Sequence, residues 1–143
     1  MQSATEVTNV AHVIQLAVAP VFLLTGIGAI LNVITNRLAR IVDRYRVLSN
    51  PNDQIKSAQK QEMAMLKRRA RWVHWAVSLC TMSALLVCIV IAALFVGAVT
   101  SIDPSRTVSL LFILAMFALI SGLLCFLREI FLATGNLGMR KSN

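Results

Sequence analysis

APVFLLTGIGAILNVITNRLARIVDRYR, residues 19–46, is the stretch that decides the fold. From Ala19 to Asn36 it carries no charged side chain; Arg37, Arg40, Asp43, Arg44 and Arg46 then follow without a helix breaker between them. An apolar helix that turns basic while keeping its helical pattern reads as a membrane span leaving lipid for a positively charged aqueous region.

Working outward, two further stretches repeat the apolar pattern. Residues 13–34, 72–99 and 107–127 contain no Asp, Glu, Lys or Arg, and each supplies the roughly 20 residues that cross about 30 Å of hydrocarbon. With 57% hydrophobic residues in 143, the chain holds more apolar surface than a soluble core of this size consumes. The expectation is an all-α, single-domain integral membrane protein with three transmembrane helices, and a cytoplasmic helical hairpin at about 37–71 extending the first two. The flank MQSATEVTNVAH has no Lys or Arg, so the first apolar run reads as a retained span rather than a signal peptide.

Charge orients the chain. Residues 37–71 hold ten Lys and Arg against Asp43, Asp53 and Glu62, a surplus of +7 out of a formal +8 for the whole chain. Basic loops stay in the cytoplasm. The reading places the N-terminus outside and the C-terminus, with Arg140 and Lys141, inside. The loop TSIDPS, with one acid and no base, fits the outer side. A frayed segment is expected over residues 1–11, a kink is open to the first helix at Pro20, and Gly135 is the expected cap of the third.

Within the first helix Thr25, Ala29, Asn32, Asn36, Arg40 and Asp43 share a stripe about 80° wide at 100° per residue. Asn32 lies about 7 Å inward of Arg37, deep enough that its amide needs a partner in protein, trapped water or a lumen. Two readings follow: an interhelical hydrogen bond, or the lining of a water-filled path with Arg40 at its cytoplasmic mouth and a weak anion preference. Gly26 and Gly28 lack the strand and third glycine of a nucleotide-binding loop and are read as helix-packing positions. Beyond Asn36, the spacing of Leu38, Ile41, Tyr45 and Leu48 gives the extension an apolar seam. Ser49 to Asp53 supplies turn chemistry before a second helix from about Gln54.

The second span opens with Trp72 and Trp75, suited to the headgroup layer. Ala76, Cys80, Ala84, Cys88 and Ala92 recur at every fourth position, a small-residue row that lets another backbone come close. Ala115, Ala118, Gly122 and Cys125 repeat the device in the third span. Arg128 and Glu129 mark its inner edge, where Glu129 is placed to meet a base from the first loop.

Catalysis finds little support here. The six acids are scattered, the serines in the spans have no intramembrane His and Asp, and an enzyme is not expected. Cys80, Cys88 and Cys125 have no Cys-x-x-Cys spacing and read as small packing residues. His12 and His74 lie about a bilayer apart, so neither a metal nor another cofactor is expected. Lys67, Arg68, Arg69 and Arg71 form a basic surface suited to the positive-inside bias, to anionic headgroups, or to an acidic protein partner. Nucleic acid is not expected, because aromatics do not interleave with the bases. Three helices make a thin bundle, and Asn32 with the small-residue rows points to self-association as a homo-oligomer.

Residues 19–48, APVFLLTGIGAILNVITNRLARIVDRYRVL, resemble the signature of a bacterial family of small three-span membrane proteins, domain of unknown function 2721. The similarity runs from about His12 to the third span. It implies a bacterial membrane location, which together with the topology reads as the inner membrane, and concentrates family identity at Pro20, Gly26, Gly28, Asn32, Asn36, Arg37, Arg40, Asp43 and Arg44. It brings no activity with it, leaving two functional expectations: a homo-oligomeric anchor or docking module, or an oligomeric pore lined by the first helix.

Overall fold

A computed structural model describes residues 2–49, 57–100 and 105–139, and these form three helices: α1 (Gln2–Leu48), α2 (Ser57–Thr100) and α3 (Ser105–Met139). Each contains a segment long and apolar enough to cross a membrane, so the chain is an all-α, multi-pass membrane protein. At about 1.5 Å per residue α1 is about 70 Å long, more than twice the thickness of the hydrocarbon.

Helix α2 is the central element. It packs along both α1 and α3, while α1 and α3 meet chiefly where Arg37 reaches Glu129 and Phe126. Along α2 and α3 the paired positions 69/129, 80/122 and 83/115 rise in one helix as they fall in the other, so the two are antiparallel. Arg44 of α1 pairs with Glu62 of α2, while Arg37, one heptad earlier, meets Arg69, one heptad later, on Glu129, so α1 and α2 are antiparallel as well.

The α1 seam explains the packing. Leu24, Ile27, Leu31, Ile34, Leu38, Ile41, Tyr45 and Leu48 alternate spacings of three and four, and all belong to the buried cluster or pack against it. That 3.5-residue average keeps one stripe facing a neighbour along a left-handed crossing. The apolar seam expected beyond Asn36 therefore reaches back through the membrane to Leu24.

Between α2 and α3 the backbones approach closely. A Cβ built on Gly122 would lie 2.8 Å from Cys80 Sγ and 3.3 Å from both Cys80 N and Ala76 O, so any side chain there must push Cys80 and the α2 backbone aside, and glycine allows the close crossing. One heptad toward the loop, the buried Ser83 hydroxyl donates to the Ala115 carbonyl at 2.8 Å, tying the helices by a hydrogen bond that neither could make with lipid.

Two local expectations are corrected, at the two ends of the bundle. Helix α1 begins at Gln2, so residues 2–11 are helical rather than frayed. Pro20, where a kink is open to the helix, is buried and lies inside α1. Helix α3 passes through Gly135 to Met139; an interior glycine costs a helix only about 1 kcal/mol and does not have to end it. The turn assigned to Ser49–Asp53 and the start at Gln54 fall, apart from Ser49, outside the described residues, as does the turn expected at 101–104.

Candidate functional site

In α3, Ala115, Gly122 and Glu129 are seven residues apart and all buried, so the seam position facing α2 passes from small apolar residues to an acid at the end of the apolar run. Glu129 is wholly inaccessible, at 0% exposure. A carboxylate there must be paired, and two helices supply the partners. Arg69 of α2 donates from Nη2 to Glu129 Oε1 at 2.7 Å and from Nε at 3.2 Å, while Arg37 of α1 donates from Nη1 to Oε2 at 3.2 Å. Each carboxylate oxygen is held by a different helix. Two guanidiniums on one carboxylate leave the trio with a net positive charge.

Cation–ring contacts surround this trio. The Arg37 guanidinium lies 5.5 Å from the Phe126 ring centre, that of Arg128 lies 4.7 Å from Trp72, and Lys67 Nζ lies 5.6 Å from Tyr45. Such contacts contribute about 0.5–2 kcal/mol each depending on desolvation, and these three join all three helix pairs. Beside the trio an open cleft of about 290 Å³ is lined by Arg37, Arg40, Arg44 and Arg69, with Ile41 and Leu66 as apolar lining. Arg44 also pairs with Glu62 at 3.0 Å. The cleft presents guanidinium N–H donors over an apolar surface, chemistry suited to an oxyanion.

The polar stripe of α1 sits elsewhere. Thr25, Asn32, Asn36, Arg40 and Asp43 are all exposed. Thr25, Asn36 and Asn32 stand nine residues from Ile34, Ile27 and Ile41 respectively, and nine steps of about 100° put them on the opposite side of the helix from α2. Thr25 Oγ1 donates to the Val21 carbonyl at 3.2 Å and Asn36 Nδ2 donates to Asn32 Oδ1 at 3.2 Å. A Cβ added at Gly26 or Gly28 would meet nothing within 4 Å, so neither glycine packs against another helix of the same chain.

The other expected groups are divided by the fold. Of the four-residue row in α2, Ala76 and Cys80 are buried against α3, Ala84 is half-buried, and Cys88 and Ala92 are exposed. A strict spacing of four advances about 40° per step, so the row turns away from the seam that 3.5-residue spacing follows. Lys67, Arg68 and Arg71 are exposed, but Arg69 is drawn inward to Glu129. Sequence reasoning placed Glu129 at the membrane edge near a base without finding Arg37 or its complete burial. The signal for its burial, though not for its partners, was present in its seven-residue spacing from Gly122 and Ala115.

A family model described as a protein of unknown function (DUF2721) matches residues 17–139, a span that takes in the stripe, the arginine cleft and Glu129. No curated protein and no solved structure matches the chain.

Proposed function

The chain belongs to the DUF2721 family, and we propose that this multi-pass membrane protein is a non-enzymatic, self-associating anchor that carries a basic docking arm on the cytoplasmic side of a bacterial inner membrane. The observation that carries the reading is the outward-facing stripe of α1. Asn32 and Asn36 satisfy one donor and one acceptor between them; the other amide groups point away from the bundle at the end of an apolar run. Polar groups in lipid favour a protein partner, and Gly28 and Ala29 on the same side offer a close backbone approach. A second copy of α1 supplies both. A self-complementary face of this kind closes into a symmetric oligomer.

The arm consists of the polar ends of α1 and α2, paired through Arg44 with Glu62 and Lys67 with Tyr45. Its +7 surplus sets the proposed orientation, with the N-terminus outside and the C-terminus in the cytoplasm. Lys67, Arg68 and Arg71 point to solvent and offer a surface for an acidic protein partner or, diffusely, for anionic headgroups.

Mass measurement of the purified protein in nanodiscs tests self-association. The native chain is expected to be oligomeric, and Asn32→Leu or Gly28→Leu to shift it toward monomer with helicity unchanged. A native monomer, or oligomers indifferent to both substitutions, overturns the reading. Orientation is checked by labelling a cysteine at position 103 from the periplasm and one at 60 only after permeabilisation, on a Cys-free background.

The position of Arg40 favours a second reading. It continues the stripe beyond Asn36 and makes no ion pair among the described residues. If α1 helices surround an axis, Thr25, Asn32 and Asn36 line it and Arg40 rings its mouth, with Asp43 tempering a weak anion preference. Anion flux in liposomes that Asn32→Leu abolishes supports this pore; no flux above empty liposomes excludes it.

A further inference from the structure

We propose that the arginine cleft between α1 and α2 is a defined binding site for the phosphate of an anionic phospholipid, distinct from the diffuse attraction of the basic arm and resting on the orientation proposed above. Three observations carry it. First, the cleft has a charge surplus. Arg37, Arg40, Arg44 and Arg69 line it, and their only acidic partners among the described residues are Glu62 and Glu129. Four guanidiniums face two carboxylates, a surplus of two. Arg40 is committed to neither acid, and a guanidinium has five N–H donors, so Arg37, Arg44 and Arg69 retain N–H groups beyond those their carboxylates engage.

Second, the cleft is at headgroup depth. Arg37 is the first charge after the uncharged run of α1, and Arg44 lies about 10 Å further along the axis, which spans the polar layer on one side of a bilayer. The half-buried Trp72 and exposed Trp75 of α2, suited to the headgroup boundary, follow Arg69 within two turns on the membrane side of the cleft. A soluble anion could reach the cleft, but this depth is where lipid phosphates already reside.

Third, α1 provides a lane for an acyl chain. Arg37, Arg40 and Arg44 fall within about 60° of one another around α1, and Val33, Gly26 and Phe22 continue that side into the membrane. All three are exposed, Phe22 at 74%, and the missing side chain of Gly26 leaves open space beside it. The site therefore joins an oxyanion cradle to an apolar groove, with Ile41 and Leu66 closing the cleft. A zwitterionic headgroup would bring its own cation against the arginines. An anionic one would not.

Native mass spectrometry with dioctanoyl phosphatidylglycerol, dioctanoyl phosphatidylcholine and inorganic phosphate as probes provides the test. One phosphatidylglycerol retained per chain is expected, with phosphatidylcholine bound at least about tenfold more weakly and no displacement by millimolar phosphate. Arg40→Gln, which leaves all three ion pairs intact, should weaken retention about tenfold; Arg71→Gln, an equal charge change on an exposed residue outside the cleft, should leave it unchanged. Equal loss in both variants, equal binding of phosphatidylcholine, or displacement by phosphate overturns the proposal. The same spectra report the number of subunits, so loss of the lipid site and loss of self-association are read separately.

Discussion

The two interfaces that α2 makes are built from different materials. Against α3 it has a backbone crossing at Gly122, the Ser83 to Ala115 hydrogen bond, and Arg69 on Glu129; these contacts are spread from mid-membrane to the polar edge. Against α1, the seam through the membrane consists of Ile27, Ile34 and their aliphatic neighbours, and among the described residues directional contacts begin only at the arm. In lipid there is no hydrophobic drive for one apolar helix to leave lipid for another, so a seam of aliphatic side chains holds by shape alone. Thus α2 and α3 form the fixed unit, and α1 is the helix held by its fit within the membrane and, at the arm, by Arg37, Arg44 and Tyr45.

Removing Glu129 tests this division most severely. Glu129→Ala leaves Arg37 and Arg69 without their buried counter-charge, and a loss of about 3–5 kcal/mol is expected, read by unfolding in mixed micelles. Because Arg37 is the chief link from α1 to α3, a cross-link between those helices should fall in yield more than one between α2 and α3; equal losses would erase the distinction. Gly122→Val comes next. Its side chain must displace Cys80 and press on the Ala76 carbonyl, costing about 3 kcal/mol by overpacking, and the damage should be confined to the fixed unit.

Ile34→Ala probes the other interface. With little transfer term to lose in lipid, the cavity alone sets the cost, about 2 kcal/mol or less at about 24 cal/mol per Å³. It should raise exchange of α1 backbone amides near the site and spare α3. The smallest effect belongs to Ser83→Ala, about 0.6 kcal/mol for one interhelical hydrogen bond in a membrane. A larger loss there than at Ile34 would mean that the polar tie, rather than close packing, holds the bundle's middle.

Three spans were legible in the sequence because hydrocarbon thickness imposes a length and forbids charge, and both can be counted without coordinates. The family was legible in residues 19–48 for a related reason: glycines, amides and arginines there punctuate an otherwise apolar run. Side-chain facing was harder. In a soluble helix the polar face names the apolar one; in lipid both faces are apolar, and the row at Ala76, Cys80, Ala84, Cys88 and Ala92 looked continuous although its last two members face away from the chain's own core. Glu129 was visible as an acid at a membrane edge, but its burial depends on arginines 60 and 92 positions away, and one local spacing does not reveal two remote partners. Gly135 was read from local rules as a helix end that the backbone does not make.

Glu129 also has a place in time. Arg37 and Arg69 are synthesised before it, and either can wait at the membrane edge, its guanidinium among headgroups and water. The carboxylate arrives last, on the helix that completes the bundle, and can be buried only where both earlier helices have brought their arginines to the same depth. A chain with one helix inserted at the wrong depth or orientation would leave the acid short of a partner and α3 undocked. The trio thus ties completion of the bundle to the matching depth of all three helices.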